Sequence, residues 1–142
     1  MGYIQTYPIC DPISGVIELI ADSRFDGAIM LNQEGKRFVE ELDRRDVLSE
    51  AILNQTGGYC WVLWNDNIGK ISNTVGTHTT EYDAFTKQGI MATCDDLKCI
   101  ADFTKIPFDQ LKKTVDRVTS MAGKGNDKDF HHRGGLMDMS QG

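Results

Sequence analysis

Gly27-Ala28-Ile29-Met30-Leu31-Asn32-Gln33-Glu34-Gly35-Lys36-Arg37-Phe38-Val39-Glu40-Glu41 decides how this chain is read. Ala28 to Leu31 is a short apolar run of strand character, and Asn32-Gln33-Glu34-Gly35 before Phe38 resembles a hairpin loop. From Glu40 to Leu53 the period changes: Leu42, Val47, Leu48, Ala51 and Ile52 are spaced for one helical face, and Thr56-Gly57-Gly58 stops it. That expected helix carries Arg44, Arg45 and Asp46 in its first half.

Working outward toward the N-terminus, Tyr3 to Ile9 is expected to be extended, since Pro8 and Pro12 steer the residues before them away from helix. Asp11-Pro12-Ile13-Ser14-Gly15 reads as a turn, and Val16 to Ile20 as another β-branched strand. Toward the C-terminus, Tyr59 to Trp64 is the clearest strand, closed by Asn65-Asp66-Asn67 and followed by a polar connection. Glu81 to Gln88 then forms a short helix and Gly89 to Thr93 a short extended piece. Cys94-Asp95-Asp96-Leu97 opens a helix through Phe103, its acids placed for the positive end of the dipole. Pro107 starts the last helix, whose stripe of Leu111, Val115 and Val118 runs to Gly123. Lys124 to Gly142 is polar and glycine-rich, expected as an irregular tail frayed for want of a partner surface. The fold class expected is α+β, a small antiparallel sheet with several helices packed against it, in one domain over residues 1–142.

At 142 residues the chain has room for one domain and none for a second, nucleotide-binding one. A net charge of −6 repels a nucleic-acid polyanion, so no nucleic-acid partner is expected. No stretch approaches the roughly 18 apolar residues of a membrane span, and no membrane partner is expected either. Met1-Gly2 runs straight into strand-like sequence, as expected of a segment cut from a longer chain. Cys10, Cys60, Cys94 and Cys99 form no Cys-x-x-Cys pair and are expected as buried free thiols, a disulfide between any two remaining open. His131-His132 would point opposite ways in extended chain and lack a third ligand, so no metal site is expected, and His78 reads as a solvated loop residue. Neither Gly-x-Gly-x-x-Gly, Gly-x-Ser-x-Gly nor His-Glu-x-x-His occurs, so no cofactor-binding residue is assigned.

The opening stretch, with Leu42-Asp43-Arg44-Arg45-Asp46-Val47 after it, resembles the capping domain of the soluble fumarate reductase and succinate dehydrogenase flavoprotein family. There the pattern Gly-Ala-Ile-x-x-Asn-x-x-Gly-x-Arg-Phe-x-x-Glu precedes a helix bearing an Arg-Asp pair. Tyr3-Ile4-Gln5-Thr6-Tyr7-Pro8-Ile9-Cys10-Asp11 resembles the Gln-x-His/Tyr-Pro opening of that domain, and Gly123-Lys124-Gly125-Asn126-Asp127-Lys128-Asp129-Phe130 its Gly-x-Asp-x-x-Phe tail. Tyr7 where fumarate reductases carry His, Asp22 in Ile20-Ala21-Asp22-Ser23-Arg24, and Tyr7-Pro8-Ile9-Cys10-Asp11 are similar to the urocanate reductase branch.

The resemblance implies FAD held mainly by a domain outside this chain, a small unsaturated carboxylate as substrate, and a parent that reduces its activated carbon–carbon double bond. Reduced flavin would supply the hydride and Arg45 the proton, with Arg24 and Asp22 as the catalytic relay and Tyr7 and Asp22 meeting the substrate. The segment alone would be inactive, closing over the flavin domain only in the complete parent. Spacing by itself allows blander roles: Arg45 and Asp46 as a helix-surface charge pair, Tyr7 as a half-buried strand aromatic. Arg37 is expected to be structural. A fumarate-specific subtype and a non-enzymatic module whose Arg-rich helix contacts an acidic partner remain the alternatives.

Overall fold

A computed structural model describes residues 6–140, so the Tyr3-Ile4-Gln5 part of the expected opening segment lies outside the described residues. β1 (Ile29–Leu31) pairs antiparallel with β2 (Trp61–Leu63), in the register Ile29 with Leu63, Met30 with Val62 and Leu31 with Trp61. Side chains alternate across a strand, so this ribbon has two covered faces. Ile29 and Leu31 join one core with Ile68, Leu111, Val115 and Val118, while Met30 joins the other with Ile9, Ala21, Val39, Leu48 and Ile52. Burial on both faces explains why β1 reads as a continuous apolar run instead of an alternating one.

Six helices complete the α+β fold among the described residues: α1 (Arg45–Leu53), α2 (Asp66–Ile71), α3 (Thr74–Thr77), α4 (Thr79–Gln88), α5 (Leu97–Thr104) and α6 (Phe108–Gly123). α5 and α6 pack on each other and cover the first core. Asp96 caps α5 by accepting from the Cys99 amide at 2.7 Å, and Leu111, Val115 and Val118 form the buried stripe of α6.

Several expectations are corrected. The turn after β1 exists, with the Gly35 amide donating to the Asn32 carbonyl at 2.9 Å, but the chain beyond it does not return as a strand. The partner of β1 comes from residues 61–63, because burying Ile29 and Met30 on opposite faces outweighs local hairpin closure. Gly35 sits at φ 75° and a Cβ there would lie 2.6 Å from Ile106; the family-like pattern needs glycine for both reasons. Val16 to Ile20 is not a strand: a single bridge joins Cys10 to Ile17, and Ile20–Asp26 coils into a 3-10 turn. The helix expected from Glu40 starts at Arg45, since Glu40 to Arg44 is taken up by turns in which Glu40 accepts from the Asp43 and Leu42 amides. Asn65 does not merely close β2: its side chain caps α2, and the polar connection is helical.

The tail carries no helix or strand over 124–140 but is packed, not frayed, with Asp127, His132 and Met139 buried. His131 is exposed where His132 is buried. The cysteines are corrected too: Cys94 and Cys99 are disulfide-bonded, Cys10 is exposed, and Cys60 is a half-buried free thiol. No helix among the described residues is long and apolar enough to cross a membrane.

Candidate functional site

The site grows from a buried ionic knot at the end of the quoted stretch. Arg37 donates to both oxygens of Glu41, from Nε and Nη2 at 2.7 Å each, and to both oxygens of Asp127, at 3.2 and 2.9 Å. Its guanidinium also lies 5.0 Å from the centre of the Phe130 ring. Glu41 is wholly buried and accepts from the Met30 amide as well, which ties the knot to β1. Burial alone would raise the Asp127 carboxyl, but Arg37 and the His132 and Asp129 amides hold it well below the usual range. Arg37 is therefore a structural residue. His132 faces the same knot with its Nε2 3.9 Å from Glu41.

Above the knot lies Arg24, carried by the 3-10 turn. It is 6% exposed; its Nε donates to the Ala21 carbonyl and its Nη1 to the Glu41 carbonyl, both at 2.9 Å. Asp22, half-exposed, stands 3.9 Å from the Arg24 guanidinium. Burial lowers the Arg24 pKa, opposed chiefly by the charge of Asp22. Gly27 ends the turn at φ 109°, where a Cβ would meet Met137 at 2.5 Å.

Arg45 is exposed at the first position of α1, and its guanidinium carbon lies 4.9 Å from the centre of the Tyr7 ring. The positive end of a helix dipole is an unfavourable place for a cation, so local helix energetics do not explain this residue. The surface charge pair belongs to its neighbour: Arg44 donates to both oxygens of Asp46, with both side chains mostly exposed. The structure thus brings Arg45 onto Tyr7, and Arg24 beside Asp22 within electrostatic reach of Tyr7. Tyr7 also lines a cleft of about 1260 Å³ together with Glu18, Cys60, Trp61, Ile100 and Phe103.

Sequence reasoning missed three residues here. Glu41, the last residue of the motif, holds Arg24 by its main-chain carbonyl, a role no side-chain pattern signals. Cys60, its thiol pushed up to about 12 by burial against the opposing charge of Arg24, lies beside the buried guanidinium. Glu81 reaches back to the 3-10 turn from α4.

Among the described residues, β1 runs into the Asn32–Gly35 turn and β2 runs through Trp64 into the Asn65 cap, so neither strand meets a helix across a glycine-rich turn that would cradle a pyrophosphate. These residues do not fit a dinucleotide phosphate by themselves.

A family model described as an FAD binding domain matches residues 1–140, and the chain belongs to that family. It is 34% identical over 143 residues to the urocanate reductase of Eggerthella lenta, covering 100% of this chain and 24% of that protein. With a cytochrome-type fumarate reductase of Shewanella frigidimarina the identity is 35% over 130 residues, covering 92% of this chain and 21% of the relative. The open conformation of a flavocytochrome c3 fumarate reductase superposes with a TM-score of 0.81 at 28% identity, covering 98% of this chain and 23% of that one. The chain spans about a quarter of the length of the relatives it matches.

Proposed function

We propose that this segment is the substrate-capping domain of an FAD-dependent reductase that saturates the double bond of a small unsaturated carboxylate, urocanate-like in preference, with Arg45 as proton donor. The observation that carries the reading is the stack of the exposed Arg45 guanidinium on Tyr7, next to the buried Arg24 and its partner Asp22. Supporting it, the named relatives include a urocanate reductase and a fumarate reductase at nearly equal identity. FAD is held mainly by chain outside this segment and supplies the hydride.

Arginine is an unusual acid, because its pKa exceeds about 12 in proteins. A cap that closes over the substrate excludes water and lets a guanidinium donate to a strongly basic developing carbanion. Arg24, whose charged form burial already disfavours, then returns the proton to Arg45, with Asp22 facing it from a half-exposed position that links the pair to solvent. The Tyr7 hydroxyl and the Asp22 carboxylate are hydrogen-bonding groups suited to an imidazole, which is the reason for preferring urocanate over fumarate. The segment alone is expected to be inactive, lacking the hydride source.

The test is Arg45→Ala in the complete, flavin-loaded parent, assayed with urocanate and with fumarate. Turnover is expected to fall about 10²–10⁴-fold, the ordinary share of a general acid, with flavin content unchanged. Turnover within tenfold of the parent would remove Arg45 from the chemistry. Faster reduction of fumarate than of urocanate by the parent would overturn the substrate preference alone.

A further inference from the structure

The 3-10 turn Ile20–Asp26 presents Asp22 and Arg24; the Asp22 amide closes its first loop onto the Leu19 carbonyl at 2.9 Å, which leaves the Leu19 and Ile20 amides to find acceptors elsewhere. The first amides of a helical turn need acceptors from outside it, and the cap residue Leu19 makes no side-chain hydrogen bond. The acceptor comes from α4 instead: Oε2 of Glu81 receives the Leu19 amide at 2.9 Å and the Ile20 amide at 2.7 Å, across 62 and 61 residues of chain. Glu81 itself sits in the first turn of α4, where the helix dipole favours a carboxylate. One oxygen is thereby fixed between the N-terminal ends of two helical segments.

What this holds is the position of Arg24. Ile20, which carries the second capped amide, and Ala21 after it are buried, and the Ala21 carbonyl accepts from Arg24 Nε. The opposite edge of the guanidinium is held by the Glu41 carbonyl. Two acidic residues from different parts of the chain, Glu81 through the turn backbone and Glu41 through its own carbonyl, therefore define where Arg24 and Asp22 stand.

We propose that Glu81 is a positioning residue for the Asp22–Arg24 pair, acting by capping the turn that carries it. The proposal rests on reading that pair as the relay of the reductase. Misplacing a catalytic group by about 1 Å can cost on the order of 10²-fold in rate, so a slack turn should be visible in kcat.

The experiment uses the full-length, flavin-loaded parent and its Glu81→Ala and Glu81→Gln variants, with Asp83→Ala on an exposed position of α4 as control. Steady-state kcat and KM with urocanate and fumarate are measured beside hydrogen exchange of the Leu19 and Ile20 amides. Expected for Glu81→Ala are faster exchange of both amides, a kcat at least tenfold lower, a smaller change in KM and unchanged flavin content. Glu81→Gln keeps a carbonyl oxygen to accept the amides and should restore kcat to within threefold, while Asp83→Ala behaves as the parent. A Glu81→Ala kcat within twofold of the parent overturns the proposal, as does unchanged exchange. A Glu81→Gln variant as slow as Glu81→Ala also overturns it, because charge and not capping would then be responsible. Failure of the underlying reading shows elsewhere, as undiminished turnover in Arg45→Ala.

Discussion

Arg37 and Arg45 flank Glu41, and the fold treats the same side chain in opposite ways. Arg37 is desolvated, forked onto two buried carboxylates and laid over Phe130. Arg45 is exposed at the start of a helix, with an aromatic ring as its neighbour. A guanidinium whose fork is saturated by carboxylates is fixed and proton-tight, since their charges and hydrogen bonds raise its pKa against the cost of burial. One lying over a ring is held by a weaker, less directional contact. Arg37 is thus an arginine that holds the fold, and Arg45 the one proposed above to act on substrate.

The comparison breaks most visibly at Arg37. Arg37→Ala leaves Glu41 and Asp127 buried without their counter-charge and is expected to cost about 3–5 kcal/mol, a large fraction of the roughly 5–15 kcal/mol that stabilises a domain. Urea denaturation checks this; a loss below about 1 kcal/mol would show that the knot is not what holds the motif.

Glu18 sharpens the contrast from the side of the acids, because it is a half-buried carboxylate with no guanidinium paired to it among the described residues. Burial, then the charges of Asp11 and Glu81, raise it to about 7. A carboxylate raised on folding contributes stability that is complete below its unfolded pKa and is lost as pH rises through the folded one, here between about 4.5 and about 7. Glu18→Gln should therefore stabilise the domain by about 1–2 kcal/mol at pH 8, after allowing for solvent screening, and leave it unchanged at pH 4. Equal effects at both pH values would contradict that assignment.

The smallest effect is expected at Arg44, whose pairing with Asp46 is open to solvent. Arg44→Ala should leave the urea midpoint unchanged within error and parent turnover within twofold, because exposed pairs contribute little. A large loss at Arg44 with none at Arg45 would exchange the roles given to the two neighbours.

What was legible in the sequence follows the range of the forces involved. The α5 and α6 helices, their apolar stripe and the acidic start of α5 depend on contacts a few residues apart, and they stand where periodicity and capping put them, within a residue or two. The hairpin after β1 failed for the opposite reason: a turn can close locally, but the strand's partner is chosen by which surfaces bury Ile29 and Met30 on opposite faces. The same holds for Val16 to Ile20, whose β-branched composition yielded to capping by a distant carboxylate. At the candidate site, the resemblance pointed to Tyr7, Asp22, Arg24 and Arg45, while nothing in the spacing signalled that the Glu41 carbonyl would hold Arg24 or that Glu81 would reach its turn.

By itself the sequence determined the short-range devices: the glycine at the Asn32–Gly35 turn, the acidic cap of α5, and the Arg-Phe-x-x-Glu spacing that lets Arg37 reach Glu41 within one helical turn's distance. Tertiary structure alone decided that Asp127 completes the knot, that Glu81 caps the turn of Arg24, and that Tyr7 comes under Arg45. The reason is physical. A local hydrogen bond needs only a few dihedral angles to be right, whereas these meetings exist only after two cores have been buried on the two sides of one ribbon.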